Sequence, residues 1–342
     1  MVIYLSLVFL LAALSFAWSS SLYVAWSIVV LMFLFSAFRH NVGFDYEIYY
    51  EWARDGVNPT LEINLEPLSK LMLEMVFYSG EPQYFFMLSS LIVVGLFGYS
   101  YIRCSVLPGL SLLAFFCLPL LYLVSFTNIR QSMAMAVVFL SLTVLEKRQK
   151  LALVMIIVAG MLHYSAFIMI FFWPFLGRID RQIATKWYLF LLISAPVITL
   201  ILQEFVLPNI PIYAHYSQVE NQSGLKLVLF YYLLAFIVLW IRYRGVALAH
   251  RSLNLFIIGV LIFVVLVPIN EVVGRIAYFF MPFGALLLPA CIEKIQPVKL
   301  ARFLFVLGLC CLFYVQLFIA SHNPVRDPYL PYQFYPGWFG LL

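Results

Sequence analysis

Three arginines, one histidine and one aspartate stand where this sequence has most reason to be apolar. Arg39, His40, Asp45, Tyr46, Glu47, Tyr49 and Tyr50 crowd into a dozen positions directly behind an almost unbroken apolar stretch, residues 2–38. Arg130 and Arg275 each open a later apolar run, 131–146 and 275–291. A cation at a helix start opposes the helix dipole by up to about 1 kcal/mol. Its presence there is sensible if an anion binds beside it, because backbone N–H groups and guanidinium forks both suit phosphate oxygens. Arg39 faces the same layer, and Lys226 is a weaker member of the set. Each arginine has a plainer alternative: pairing with a local acid, such as Glu271 for Arg275, or reaching to lipid headgroups. His163, in Gly160-Met161-Leu162-His163-Tyr164-Ser165-Ala166, is the one polar ring between two apolar runs. Its imidazole can take a proton from a hydroxyl near neutral pH, or can be satisfied by neighbours at a helix end. Asp45 is the other candidate base; it can equally orient a substrate hydroxyl or pair with Arg39.

The elements that hold these residues belong in lipid. Charged residues make up 10% of the chain and hydrophobic ones 65%, against roughly 25% charged in a soluble domain. Apolar runs cover about 2–17, 21–38, 83–102, 108–126, 131–146, 151–162, 164–177, 187–207, 227–241, 252–268, 273–291 and 300–320. At about 20 residues per span they predict an all-α polytopic membrane protein of about twelve transmembrane helices, one transmembrane domain over 1–342. The short runs on either side of His163 are two tilted spans or one broken span. Alternate links hold Arg103; Lys147, Arg148 and Lys150; Arg178, Arg181 and Lys186; Arg242, Arg244 and Arg251; and Lys294, Lys299 and Arg302, together thirteen of the 20 Lys and Arg. The positive-inside rule makes that side cytoplasmic. Both termini, the loop 39–82, His163 and the tail 321–342 are then outside.

The loop 39–82 predicts two short amphipathic helices along the membrane surface. Tyr46, Tyr49, Tyr50 and Ala53 share one face, opposite Glu47, Glu51 and Arg54, and Gly56 with Asn58-Pro59 ends that helix. Pro67 suits the first turn of the second, with Glu66 at its positive end. Leu68, Leu71, Met72, Met75 and Val76 form its apolar stripe, opposite Ser69, Lys70 and Glu74. The tail Asn323–Trp338, rich in Pro and aromatic residues, predicts an extended segment on the outer face.

Other chemistry is poorly supported. The five cysteines, Cys104, Cys117, Cys291, Cys310 and Cys311, have neither metal-ligand spacing nor a disulfide framework. No paired-histidine motif, Gly-rich phosphate loop or serine nucleophile motif is visible, so no metal and no cofactor are expected. The net charge of +5 is scattered over span ends and is no nucleic-acid signal. Met1–Trp18 lacks a basic region and does not predict a cleaved signal peptide. Asn221-Gln222-Ser223 is a glycosylation acceptor only in a eukaryotic secretory setting.

Taken in order, the motifs resemble a known family. They are Arg39 followed by Gly43-Phe44-Asp45-Tyr46-x-x-Tyr49; Glu66-Pro67; Asn128-Ile129-Arg130-Gln131-x-x-Ala134; His163 with Ser165; Gly274-Arg275; and Leu330-Pro331-Tyr332. The chain resembles, over essentially its whole length, the EpsG-like branch of the Wzy-type polysaccharide polymerases. The resemblance implies a GT-C-like helical fold in the bacterial inner membrane, active on the periplasmic face. It implies an enzyme that joins undecaprenyl-diphosphate-linked oligosaccharide repeat units of O-antigen, capsule or exopolysaccharide, with undecaprenyl diphosphate leaving and the anomeric centre inverted. On that basis Arg39, Arg130 and Arg275 hold diphosphate, His163 or Asp45 is the base, and Tyr46, Tyr49, Glu66, Gln131 and Tyr332 shape the glycan cavity. Donor and acceptor are both lipid-linked oligosaccharide, and a chain-length regulator is a possible partner. The rival classes are a lipid-linked glycan flippase, which should carry its polar site at the membrane midplane, and an outer-face glycan ligase or acyltransferase.

Overall fold

Long apolar runs leave the backbone no partner but itself, and in lipid that means helix. The structure is a computed structural model describing residues 1–57, 65–207, 224–245, 248–323 and 328–336. It divides into two units, 1–171 with 296–342, and 172–295.

The first unit begins with α1 (Val2–Ala17) and α2 (Leu22–Ala37), the latter capped by the Ser21 hydroxyl, which accepts the Val24 N–H. A two-residue strand, β1 (Arg39–His40), follows. The surface helix α3 (Tyr46–Asp55) stops at Gly56, whose φ of 88° suits glycine. Next come α4 (Pro67–Ser79), with Pro67 in its first turn, and α5 (Gln83–Cys104). The run 108–126 is broken into α6 (Pro108–Cys117) and a single turn, α7 (Val124–Thr127). α8 (Ile129–Val144) and α9 (Gln149–Leu162) follow. His163 then goes extended, and a 3-10 turn, Tyr164–Phe167, leads into α10 (Ile168–Leu176), which straddles the division between units. The chain returns to this unit with α16 (Val298–His322) and β2 (Gln333–Phe334). β2 pairs antiparallel with β1, Arg39 opposite Phe334, so the chain's tail is tied to the end of α2.

Packing inside the unit relies on close approach and interhelical hydrogen bonds, as expected where lipid is as apolar as leucine. Gly98 lets α5 lie against α2, since a Cβ there would come within 2.6 Å of Val29. Ser36 and Ser90 share a hydrogen bond of 2.7 Å, and Ser141 donates to the Ala152 carbonyl at 2.8 Å. Phe97 packs at a tilt against Phe115 and Phe139, with centroids 4.6 and 5.3 Å away, joining α5, α6 and α8; each such pair contributes about 0.5–1.5 kcal/mol.

The second unit contains α11 (Thr185–Ile201), extended by a π-helical turn, Leu202–Val206, then α12 (Leu225–Tyr243) and α13 (His250–Leu266). A short helix, α14 (Glu271–Gly274), a 3-10 turn (Arg275–Phe279) and α15 (Pro282–Ile292) complete it. Asn254 links α13 to the loop before α11 through the Arg181 carbonyl at 3.0 Å.

The helical reading holds, and the run positions agree closely with the elements. Among the described residues four helices are long and apolar enough to cross a membrane alone: Gln83–Cys104, Thr185–Val206, Leu225–Tyr243 and Val298–His322. The pair Glu271–Phe279 and Pro282–Ile292, bent by 54°, makes a fifth. The other apolar helices are shorter; the 16 residues of α1 or α2 reach only about 24 Å. Exposed Phe9, Phe190 and Trp240 mark surfaces facing hydrocarbon. Two expectations change. Arg275 does not open a straight helix but begins the 3-10 turn that follows α14. In α4 the inward face is Ser69, Leu73 and Val76, while Leu71 and Met75 are exposed; in a lipid solvent the apolar stripe is free to face outward.

Gly43 is the tightest backbone position near the site. Its φ is +102°, and a Cβ built on it would lie 2.0 Å from the Phe126 carbonyl oxygen. Gly43→Ala is expected to lower stability by roughly 1–3 kcal/mol, read as a fall in Tm of the purified protein in detergent; an unchanged Tm would show that the loop between β1 and α3 can shift freely.

Candidate functional site

α3 is laid on the start of α5 by aromatic stacking. Tyr46 and Tyr49, one turn apart, stack on Phe86 and Phe85, with centroids 4.1 and 5.0 Å apart. The Tyr46 hydroxyl donates to Gln83 Oε1 at 3.0 Å and bonds His40 Nδ1 at 3.0 Å. Gln83 in turn donates to the Ala37 carbonyl at 2.7 Å, fixing α5 to the end of α2. Burial raises the Tyr46 and Tyr49 phenols well above their ordinary range, so both are neutral hydrogen-bonding groups.

Glu66 is the centre of the cluster. It sits at the N-cap of α4 without capping its own helix, which leaves the carboxylate available elsewhere. One oxygen accepts from Arg130, in the first turn of α8. The other accepts from His163 Nδ1 at 2.7 Å and from the Tyr164 N–H at 3.3 Å, just beyond α9. Arg130 also donates to the Tyr49 hydroxyl. Asp45, at the start of α3, accepts the Ile129 N–H of α8 at 3.4 Å. Four side chains, Tyr49, Glu66, Arg130 and His163, therefore meet in one network from α3, α4, α8 and the end of α9, and Asp45 ties α3 to the backbone of α8 beside it. Glu66 is nearly sealed, at 3% exposed, while Arg130 and His163 keep 24% and 28%. Burial alone would raise the Glu66 carboxyl; the hydrogen bond from His163 and the charge of Arg130 outweigh it and hold the group below its ordinary value.

The chemistry follows from that arrangement. A carboxylate only accepts, so Nδ1 of His163 carries a proton and, in the neutral ring, Nε2 carries the lone pair. That is the tautomer a base needs, held by a fixed acceptor. Ser132 Oγ and Ser165 Oγ, two residues beyond Arg130 and His163 in the chain, are buried without a hydrogen-bond partner among the described residues. Among the described residues no three His, Cys, Asp or Glu side chains are grouped to hold a metal ion.

The remaining predicted residues lie differently. Arg39 is 1% exposed. Its guanidinium lies between the rings of Phe126 and Phe86, 4.5 and 5.2 Å from their centroids, and donates to the Ser36 carbonyl at 2.6 Å. Burial lowers it to about 10, and among the described residues no ion pair links it to Asp45 or any other acid. It anchors the end of α2 rather than lining an opening. Tyr332 is 6% exposed, stacked on Phe35 at 4.1 Å, with its hydroxyl donated to the Phe35 carbonyl at 2.6 Å; it pins the tail. Gln131 is buried within α8. Arg275 belongs to the second unit. Asn58-Pro59 and Asn221-Gln222-Ser223 lie outside the described residues.

Ser69 was not singled out from sequence. Its hydroxyl donates to the Leu162 carbonyl at 2.8 Å and draws α4 onto the end of α9, which is what brings Glu66 to His163. The available signal was a small polar residue one turn into a helix whose start carries a carboxylate.

A helical membrane protein with a charged acid–base cluster at helix ends is the class that fold and site define. The sequence matches the EpsG family over residues 22–334, and the chain belongs to that family. Membership associates it with polysaccharide biosynthesis and a polymerase-like role. Comparisons with curated proteins and with solved structures gave no match.

A depressed carboxyl contributes stability that is complete above its unfolded value, about 4.3, and is lost as pH falls through the folded value. Glu66→Gln is expected to lower stability by about 1–3 kcal/mol at neutral pH. The Tm gap between wild type and variant should stay constant down to about pH 4.3 and close only below it. A gap that closes well above that pH would show that Glu66 is not held ionised by Arg130 and His163.

Proposed function

We propose that this protein is a polysaccharide polymerase that joins undecaprenyl-diphosphate-linked oligosaccharide repeat units at the periplasmic face of a bacterial inner membrane. The observation that carries this reading is Glu66 bridging Arg130 and His163, which couples a phosphate-binding cation to an oriented base. The regular basic bias of alternate links supports the orientation, and the apolar runs support about twelve spans; a GT-C-like arrangement of them is what the resemblance implies.

The step is a direct displacement. The acceptor hydroxyl oxygen attacks the anomeric carbon of the donor glycan, and the bond from that carbon to the diphosphate oxygen breaks. Undecaprenyl diphosphate leaves with the electron pair, the hydroxyl proton passes to His163 Nε2, and the anomeric centre inverts. Glu66 stabilises the imidazolium that forms. Arg130 has five N–H donors; beyond those used on Tyr49 and Glu66, it offers others to diphosphate oxygens, where negative charge develops. No general acid is required, because diphosphate is already a stable leaving group. Asp45, bound to the start of α8, positions Arg130 rather than taking the proton. Tyr46 and Tyr49 shape the glycan side of the cavity.

Purified protein supplied with its lipid-linked repeat unit alone should yield a product ladder spaced by one repeat. His163→Ala should slow it by about 10²- to 10⁴-fold, and Arg130→Ala should abolish it, whereas Asp45→Asn should cost less than His163→Ala. The reverse order for Asp45 and His163 would move the base to Asp45. Transfer of the substrate between leaflets with no ladder would replace the polymerase by a transporter.

A further inference from the structure

The opposite end of the first unit holds a second, separate recess. α5 and α8 run away from the Glu66 cluster and α9 runs back toward it. Their far ends enclose a cavity of about 360 Å³ lined by Arg103, Lys147 and Arg148 together with the acid Glu146. Three cations thus face one carboxylate. Arg103 lies 5.6 Å from the Tyr99 ring centroid, which also lines the cavity. Among the described residues no ion pair closes any of the three cations. Arg251, by contrast, is paired with Asp180 at 2.8 Å. The start of α9 also opens here: Arg148 is its N-cap residue, with no side-chain cap, so first-turn N–H groups at the cavity edge lack acceptors.

The wall continues into apolar surface. Leu151 lines the cavity, and Leu151, Val154 and Ile157, spaced three apart along α9, are 42%, 55% and 42% exposed. A ligand suited to both parts carries a phosphodiester in the basic recess and an acyl chain along α9. We infer that this recess is a binding site for the headgroup of an anionic membrane phospholipid, distinct from the Glu66 cluster and filled whether or not that cluster is turning over.

The test uses the full chain with Cys310→Ser and Cys311→Ser, so that exposed Cys104, which lines the recess, becomes the reporter. Alkylation of Cys104 is timed in nanodiscs of phosphatidylglycerol and of phosphatidylcholine, and in detergent with millimolar inorganic phosphate. Phosphatidylglycerol should slow the reaction selectively. Arg103→Gln, Lys147→Gln and Arg148→Gln should each weaken lipid retention, followed by native mass spectrometry, about fivefold. Lys150→Gln, outside the recess, should leave it unchanged. Equal protection by phosphatidylcholine, or an equal effect of Lys150→Gln, would reduce the recess to unspecific surface charge. Equal protection by inorganic phosphate without lipid would make it a soluble-anion site. Either result overturns the inference.

Discussion

A buried carboxylate that bonds a guanidinium on one side and an imidazole on the other is the constraint the first unit is arranged to satisfy. Glu66 is all but closed to solvent. An ionised group so placed is tolerable only if charge-assisted hydrogen bonds replace its water. Arg130 and His163 come from helices with no sequence proximity to it, so α4, α8 and the end of α9 must converge for the carboxylate to be satisfied. Ser69 and Tyr49 reinforce that convergence from either side, one tying α4 to Leu162 and the other bonding Arg130.

Arg39 shows a different solution to the same problem. Its charge is buried without a carboxylate among the described residues and is accommodated by two aromatic faces and the carbonyl at the end of α2. The tail then closes over this region: Tyr332 stacks on Phe35, and the Tyr4 hydroxyl donates to the Tyr329 carbonyl at 3.0 Å. Two arginines that look equivalent as outer-layer cations therefore do unlike work. Arg130 is part exposed in a polar network; Arg39 is a packing element that joins the end of α2 to α5 and the tail.

Lipid as solvent also explains where helical patterning misleads. In water the stripe Leu68, Leu71, Met72, Met75 and Val76 would seek the core. Here Leu71 and Met75 face outward and the small polar Ser69 faces inward, because hydrocarbon accepts apolar side chains at no cost while a buried hydroxyl needs a partner. The run 108–126 is equally apolar throughout, yet Pro119 and the positive φ of Leu120 fall between α6 and α7. Hydropathy reads the continuous run and does not see the interruption.

The amino-acid order by itself determined the helical class, the positions of nearly every helix, the two short helices after β1 and the short list of residues carrying chemistry. Those properties are local: hydropathy, turn residues and charge placement act over a few positions. What only the tertiary structure decided was which of those residues meet. Glu66 was legible as a charge at a helix start, but its role as the bridge between Arg130 and His163 depends on contacts across 64 and 97 residues. The burial of Arg39 and Tyr332 depends likewise on pairing between the two ends of the chain. Such contacts arise because a buried charge must be satisfied by whichever helices can reach it, and reach is a property of packing that no local pattern encodes.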